Sequence, residues 1–151
     1  MRSRLLKTTV LGAGLGVLLA TAPAKAHHAF AAEFDAKRPV DLKGTITEIE
    51  WINPHAWMHL DVKQPDGTIK KWEIELGSPN ALYRRGWDKN SVPMGTQVRV
   101  TGYASKDGDS KANGRSADLP DGRKMFVGSS GTGAPDLDPK EPTDPKKPKG
   151  R

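Results

Sequence analysis

Apolar and polar residues alternate along much of the chain between residues 40 and 127, which predicts a mainly β protein. In the first strand the apolar residues occupy even-numbered positions as far as Ile46 and odd-numbered positions from Ile49 onward. The inward face of this strand therefore changes after Thr47, and such a change requires a bulge or a bend. Gly44 is well placed to permit the coiling, so we expect one long strand that serves two sheets.

The segments that follow predict a hairpin, a short helix and further strands. Period-2 alternation over residues 56–62 and 71–76, with a turn at 64–67, indicates the hairpin. Ser78 as N-cap, Pro79 at the first helical position and Gly86 as the stop predict a helix of barely two turns. Residues 97–103 predict a fourth strand, and residues 112–127, with a turn at 120–122, predict a last strand or hairpin.

The order of these elements favours one architecture. Three strands, a helix and two strands, with a coiled first strand shared between sheets, is the layout of a small OB-type five-stranded barrel with one short helix between strands 3 and 4. A small β-sandwich is the alternative, although it would need neither the helix nor the change of face.

The N-terminal segment has the three regions of a secretory signal. Arg2, Arg4 and Lys7 precede an apolar run at residues 10–22, and small residues then recur up to Ala26. The run of 13 residues is shorter than the roughly 20 that a membrane helix needs. We therefore expect a signal peptide over residues 1–26 that is cleaved, and a mature protein that is periplasmic or secreted and has no membrane anchor.

The mature chain divides into a domain at residues 27–127 and a tail at residues 128–151. The tail contains five prolines and several lysines but almost no large apolar residue. Such a composition cannot bury enough surface to offset the entropy of ordering the chain. We therefore predict a disordered Pro/Lys-rich tail.

Charge and cysteine content narrow the possible partners. The chain has 24 basic and 18 acidic residues, a net charge of +6, but residues 1–26 contain four of the basic residues and no acidic one. Cleavage would leave 20 basic against 18 acidic residues, a net charge of +2. This small excess argues against a nucleic-acid partner, because such domains carry a strong positive surface. The absence of cysteine excludes disulfides and thiolate metal sites, so an apolar core must stabilise the domain.

The sequence gives little support for an enzyme. It has no cysteine and no Gly-x-Ser-x-Gly motif, and its histidines cluster towards the N-terminus, so acyl transfer has no obvious nucleophile and base. Glu48 with Glu50, and Glu73 with Glu75, lie at strand spacing on one face. We interpret both pairs as solvated faces of strands rather than acid and base pairs. No catalytic residue is predicted.

Several segments resemble a family of small exported bacterial proteins classed as domain of unknown function 6152. The resemblance covers about residues 1–128, and the segments that carry it read, in order, HHAFAAEFD, LKGTI, WINPHAW, ELGSPN and RRGW. It implies export and one compact domain. The family has no established activity, so the resemblance supplies no catalytic residues and no ligand.

The histidines suggest a metal site at the mature N-terminus. Cleavage after Ala26 would make His27 the first residue, and its free amine and imidazole could chelate one metal, with His28 or His55 as further ligands. Cleavage after Ala24 would instead place His27 third, where it can enclose Cu(II) or Ni(II) with the amine and two backbone amides. Either terminus is rich in nitrogen ligands, for which Cu(II) is the strongest divalent binder. Alternatively, His27 and His28 form a frayed polar end, and His55 is a loop residue hydrogen-bonded to the backbone.

His59 follows His55 by four residues, and its role depends on the local structure. On a helix the two rings would lie side by side, as in many metal pairs. On a strand they stand roughly 13 Å apart at about 3.3 Å per residue, which is too far for one ion. The alternation over residues 56–62 favours the strand, so we pair His55 with the N-terminus and keep His59 as the weakest of the four candidate metal ligands.

A second hypothesis is an OB-type module that binds no metal. Its ligand would be a small envelope molecule, a glycan or a protein partner, bound at an exposed aromatic groove. Trp51 and Trp57 are the candidate ligand-binding residues. Trp72 shares its parity with Ile74 and Leu76, so we expect it in the core.

Overall fold

Six strands and two short helices make up the part of the chain that the computed structural model describes, residues 30–129 and 134–135. The protein is therefore mainly β, as predicted. The elements, in chain order, are α1 (Phe30–Glu33), β1 (Phe34–Glu50), β2 (Trp57–Lys63), β3 (Ile69–Glu75), α2 (Pro79–Tyr83), β4 (Gln97–Ser105), β5 (Lys111–Asp118) and β6 (Lys124–Phe126).

The strands form one sheet in the order β3-β2-β1-β4-β5-β6, with an additional pairing between β3 and β5. That additional pairing is parallel, whereas the neighbours in the sheet order are antiparallel. The pairings therefore lead from β1 through β2, β3, β5 and β4 and return to β1. The last predicted element is a hairpin of β5 and β6, so the described part has six strands rather than five, and β6 lies outside the circuit.

Strand β1 changes face where the sequence predicts, but its two neighbours belong to one sheet, so the expectation that it serves two sheets was wrong. Residues 39–45 pair with β4, and residues 45–50 pair with β2. The register with β2 shifts between Ile46 and Glu48, which places the bulge at Thr47. Gly44 lies just before it, where a Cβ atom would stand 3.0 Å from the carbonyl oxygen of Asp61 on β2. A side chain at this position would push β1 and β2 apart where they pack most closely.

Helix α2 follows the local signals in the sequence. The Ser78 side chain accepts a hydrogen bond from the backbone N–H of Ala81, and Pro79 is the first helical residue. At the other end Gly86 has a φ of +86°, and the N–H of Trp87 reaches back to the carbonyl oxygen of Leu82 at 3.0 Å. This is a Schellman-type ending, which brings the residue after the glycine onto the last turn of the helix.

The main core consists of side chains from β1 to β5, from α2 and from the loops between them. Its most deeply buried large side chains include Ile46, Met58, Leu60, Ile74, Leu76, Leu82, Trp87, Val100 and Val127. Trp72, which we expected in the core, is only partly buried and packs against its edge. Trp87, only 1% exposed, is the tryptophan that the core encloses.

A second, smaller cluster joins the two ends of the described chain. The ring of Phe30 in α1 stacks on Phe34 at 5.9 Å and meets Tyr103 of β4 edge-on at 5.3 Å. Ala134 completes the cluster, and the Tyr103 hydroxyl donates to the carbonyl oxygen of Pro135 at 3.2 Å. The described residues after position 127 thus pack on the domain. The predicted signal peptide, His27, His28 and the rest of the predicted tail lie outside the described residues.

None of the helices among the described residues has the length and apolar character that crossing a membrane would require.

Candidate functional site

A depression of about 450 Å³ opens on the surface formed by β1, β2 and β3 and the turn between β4 and β5. The strands contribute backbone and side chains from near the β1 bulge, the middle of β2 and the middle of β3. The turn closes the depression from the side of β5. Its lining includes Thr47, His59, Lys71, Trp72, Glu73 and Ser110.

Strand register places four of the lining side chains in one row. Glu48 of β1 pairs with His59 of β2, His59 pairs with Glu73 of β3, and Glu73 pairs with Lys111 of β5. Adjacent strands are about 4.8 Å apart, so the row spans roughly 15 Å across the sheet. The parallel pairing of β3 with β5 is what brings Lys111 and the preceding turn to the depression.

The carboxylates of this depression are more available than its cations. Glu48 and Glu73 are exposed and form no ion pair with any residue of the described ranges. By contrast, Lys71 Nζ lies 3.2 Å from Asp61 Oδ1, and Lys111 Nζ lies 5.6 Å from the ring centre of Trp57. Asp109 in the turn adds a further carboxylate to the lining. The lining therefore contains three carboxylates, Glu48, Glu73 and Asp109, against two lysines.

His59 is held by a carboxylate next to the depression. Its Nε2 lies 2.7 Å from Glu50 Oε1, and the two side chains are 25% and 38% exposed. An ionised carboxylate only accepts hydrogen bonds, so the imidazole donates from Nε2. This contact fixes the ring against β1 and occupies the nitrogen that would otherwise be the natural metal ligand.

His55 lies in the loop before β2 and is held by the backbone. Its Nδ1 is 3.2 Å from the carbonyl oxygen of Leu76 and 3.1 Å from Ser129 Oγ. A carbonyl oxygen can only accept, so Nδ1 donates in this contact. Metal-bound histidines commonly have this arrangement. The loop position and the hydrogen bond to the backbone agree with the alternative that needs no metal as well.

A buried carboxylate lies beside His55. Glu75 is 8% exposed, and its Oε1 accepts a hydrogen bond of 3.1 Å from Nδ2 of the buried Asn113. The expectation that Glu75 belongs to a solvated face was wrong, because the parallel pairing with β5 brings Asn113 opposite it. Glu75 Oε1 is also 3.8 Å from His55 Nδ1.

His55, Glu75 and Ser129 do not form a catalytic triad. Both the serine oxygen and the carboxylate approach Nδ1 of the imidazole. A triad needs the acid at one ring nitrogen and the nucleophile at the other, so that the base can take the proton of the nucleophile. The three side chains are therefore a buried polar contact rather than a hydrolytic centre.

A family model described as "Family of unknown function (DUF6152)" matches residues 15–115. The chain belongs to this family. The match confirms the resemblance seen in the sequence, and it assigns no activity. No curated protein and no solved structure matches the chain.

The candidate residues of this DUF6152 protein are distributed over different parts of the domain. His59 lines the depression, whereas His55 lies in the loop that contacts Leu76 and Ser129. Within residues 30–129 and 134–135, no three histidine or carboxylate side chains are grouped closely enough to hold a metal ion. The metal site built on His27 and His28 therefore stays a prediction.

The two candidate tryptophans lie near the depression or on the core. Trp57 is half-buried on the same face as His59, and Lys111, which lines the depression, sits over its ring. Trp51 is partly buried and packs against the core. Their role in ligand binding stays a prediction.

The lining includes Trp72, which the sequence analysis placed in the core, and the turn at 109–111, which it connected with no site. Trp72 shares the parity of the core residue Ile74, and parity alone could not separate a core position from a position at its edge. No local signal places the turn beside β3, because that contact depends on pairing between strands distant in the chain.

Proposed function

We propose that this protein is an exported OB-type binding module, rather than an enzyme, and that it binds a polar saccharide in the depression on β1, β2 and β3. Export rests on the N-terminal sequence alone, whereas the ligand rests on the barrel and on the depression.

The pairing pattern supports the OB-type barrel. A ring of β1, β2, β3, β5 and β4, closed by a parallel β3–β5 pairing and with a helix between β3 and β4, matches the five-stranded Greek-key barrel. The bulged β1, which pairs with both β2 and β4, supplies the bend that such a closed sheet requires. In this interpretation β6 is an addition outside the barrel.

The position of the depression is the observation that carries the functional proposal. OB-type barrels bind oligonucleotides and oligosaccharides on the face of strands 2 and 3 and on the loops that flank it. Here the depression is lined by β2, β3 and the turn between β4 and β5, together with the bulged part of β1. It therefore occupies the surface on which barrels of this type hold their ligands.

Charge and strand pairing decide between the ligand classes. A polyphosphate backbone would be repelled by Glu48, Glu73 and Asp109, so a nucleic acid is disfavoured. An extended peptide usually adds to an open strand edge, yet β2 is paired on both sides and β3 pairs with β5 from Glu73 to Glu75, beside the depression. A saccharide needs neither an open edge nor a cationic groove. Carboxylates and a hydroxyl such as that of Ser110 suit its hydroxyl groups.

Export rests on the sequence from Met1 to Ala26. We expect the periplasmic protein to begin at His27, with Lys25 as the alternative start, because the two small-x-small triplets overlap there. Intact-mass measurement of the periplasmic fraction tests this. If the protein in that fraction still carries residues 1–26, the proposed processing is wrong.

The binding proposal is tested by titrating the protein with short oligosaccharides. Tetrasaccharides of N-acetylglucosamine, glucosamine and hyaluronan serve as probes, followed by calorimetry and tryptophan emission. Ser110→Tyr should fill the depression and weaken binding at least about tenfold, a loss of about 1.4 kcal/mol. Met94→Tyr is the matched control, since Met94 is 73% exposed in a turn that does not line the depression. If no probe binds the native protein, or if both variants bind equally, the proposed site is wrong.

Copper binding is a second candidate function, and it rests on the free amine and imidazole that His27 would have after cleavage. His28 or His55 would supply a further nitrogen, and the hydrogen bond between His55 Nδ1 and the Leu76 carbonyl oxygen is of the kind that orients metal-bound histidines. Cu(II) should then give a visible d–d band at one equivalent, fading below about pH 5 to 6 as imidazole is protonated. One extra residue before His27, or His55→Ala, should weaken binding. Undiminished affinity in both variants would eliminate this site.

A further inference from the structure

One asparagine of the chain is followed by glycine, Asn113 before Gly114 in β5. Asn113 is 1% exposed and is paired on both sides, with Tyr103 of β4 and with Glu75 of β3. The other three asparagines lie at exposed positions and precede larger residues: Asn53 before Pro54, Asn80 before Ala81 and Asn90 before Ser91. The asparagine with the least hindered neighbour is therefore the one that the fold buries.

Packing accounts for both residues of this pair. A Cβ atom at position 114 would stand 2.9 Å from Cγ2 of Ile74 and 3.3 Å from the carbonyl oxygen of Glu75, so a side chain there would have to displace Ile74. The Asn113 amide donates to Glu75 Oε1 at 3.1 Å, and Glu75 is itself buried. An acidic residue at position 113 would face another carboxylate instead. The fold thus imposes an Asn-Gly sequence.

An Asn-Gly sequence is chemically unstable in a flexible chain. The backbone nitrogen of Gly114 attacks Cγ of Asn113, the new C–N bond closes a succinimide ring, and the side-chain nitrogen leaves as ammonia with the backbone proton. Water then opens the ring at either carbonyl and leaves an aspartate or an isoaspartate at position 113. A side chain on the following residue hinders the attack, and a following proline has no N–H to react. The reaction needs water but no enzyme and no oxidant.

The native fold opposes this reaction. Ring closure requires the backbone at Asn113 to leave the extended conformation, so that the Gly114 nitrogen can approach Cγ. In β5 that rotation would break the pairing with both β3 and β4, and Glu75 holds the Asn113 amide in place. The reaction therefore proceeds in molecules in which β5 has separated from its neighbours, and these are a small fraction of a folded domain.

Neither product fits the native structure. Isoaspartate adds one carbon to the backbone, which disturbs the register between β5 and its neighbours. Aspartate keeps the backbone but replaces the donor to Glu75 with a second buried carboxylate, and like charges at this distance repel each other. The buried Oδ1 of Asn113 has no hydrogen-bond partner among the residues that the structure describes, so it offers no compensating contact.

We propose that Asn113-Gly114 is a site of spontaneous modification that the unfolded chain exposes, and that its conversion prevents the chain from folding. This inference is independent of the proposed ligand. The predicted signal has no pair of adjacent arginines, so we expect the chain to be exported unfolded. The time that a chain spends unfolded then decides whether it can still reach the native structure.

Incubation of the protein in a mildly alkaline buffer, with and without urea above the unfolding midpoint, tests the protection. Peptide mapping by mass spectrometry follows the mass increase at each asparagine when OH replaces NH2. We expect Asn113 to convert at least about tenfold faster in urea than in buffer, because the native protein opens rarely. Asn80 and Asn90 are internal controls and should convert much more slowly than Asn113 in urea. Equal rates for Asn113 in both solutions, or a rate in urea no greater than that of Asn90, would show that the proposed site is wrong.

Refolding after increasing times in urea tests the consequence. Limited proteolysis after dilution leaves the folded chains, and we expect modified chains to be depleted at least about tenfold from this fraction, because a buried charge pair or a lengthened strand removes much of a small domain's stability. Asn113→Ala cannot form the ring and is the matched control, so its recovery should stay constant while that of the native sequence falls. Asn113→Asp should refold to a smaller fraction than Asn113→Ala, because it adds the charge.

Two results would overturn the proposed block to folding. One is a loss of recovery for Asn113→Ala at the same rate as for the native sequence. The other is equal refolding of modified and unmodified chains.

Discussion

Replacing Gly102 with alanine should destabilise the protein strongly, although it adds a single methyl group. Gly102 of β4 lies opposite Gly114 of β5, next to a shift in their register. A Cβ atom at position 102 would stand 3.0 Å from the carbonyl carbon of Asn113, 3.2 Å from the Cα of Gly114, and closer still to the Asn113 carbonyl oxygen. Carbon atoms in contact prefer about 3.5–4.0 Å, so β5 would have to move by roughly 0.5–1 Å.

The cost follows from that displacement. Overpacking of this kind costs about 1–3 kcal/mol, and each strained cross-strand hydrogen bond adds about 0.5–1.5 kcal/mol. We therefore expect Gly102→Ala to lower the free energy of unfolding by about 3 kcal/mol and the Tm by more than about 10 °C. The measurement is urea unfolding followed by circular dichroism, and the variant is compared with the native protein at the same m-value.

Gly95→Ala is the matched control for the same chemical change. Gly95 has a φ of +84°, and no atom lies within 4 Å of the Cβ that alanine would add. This variant should therefore show only the backbone strain of the left-handed conformation, about 1–2 kcal/mol. A Gly102→Ala variant as stable as Gly95→Ala would show that β4 and β5 do not approach each other as closely as described.

Three further predictions concern the core, the stability at acid pH and the hydrogen bond between Asn113 and Glu75. Trp87→Ala should cost about 3–5 kcal/mol because the side chain is 1% exposed, whereas Trp72→Ala should cost roughly half as much, and chemical denaturation of both variants checks the order. The hydrogen bonds from Arg99 lower the pKa of Asp41 in the folded protein. The ionised carboxylate therefore stabilises the fold above its unfolded pKa near 4, and this contribution is lost as the pH falls through the lower folded pKa. Asp41→Asn should therefore weaken the pH dependence of the free energy of unfolding below about pH 4. Asn113→Ala should cost about 1–3 kcal/mol by removing a donor from the buried Glu75, and a double-mutant cycle with Glu75→Gln should recover part of that loss.

Local signals in the sequence were sufficient for some elements. Ser78, Pro79 and Gly86 specify α2 because capping and turn chemistry act within a few residues. The change of parity after Thr47 located the bulge, since side chains alternate strictly along a strand. The apolar residue after Gly86 was also a readable signal for Trp87, because a Schellman ending packs that residue on the helix.

The candidate site depended on contacts between distant parts of the chain. The alternation of apolar residues along β3 did not show that Trp72 lies at the edge of the core or that Glu75 is buried. Both depend on what covers the sheet. The turn at 109–111 reaches the depression only through the pairing of β3 with β5. Alternation, caps and turns are set by neighbours in the sequence, so the sequence determined α2, the bulge and the alternating strands, but it did not predict α1. Burial and the sign of charge at a surface are set by neighbours in space, and only the tertiary structure decided those.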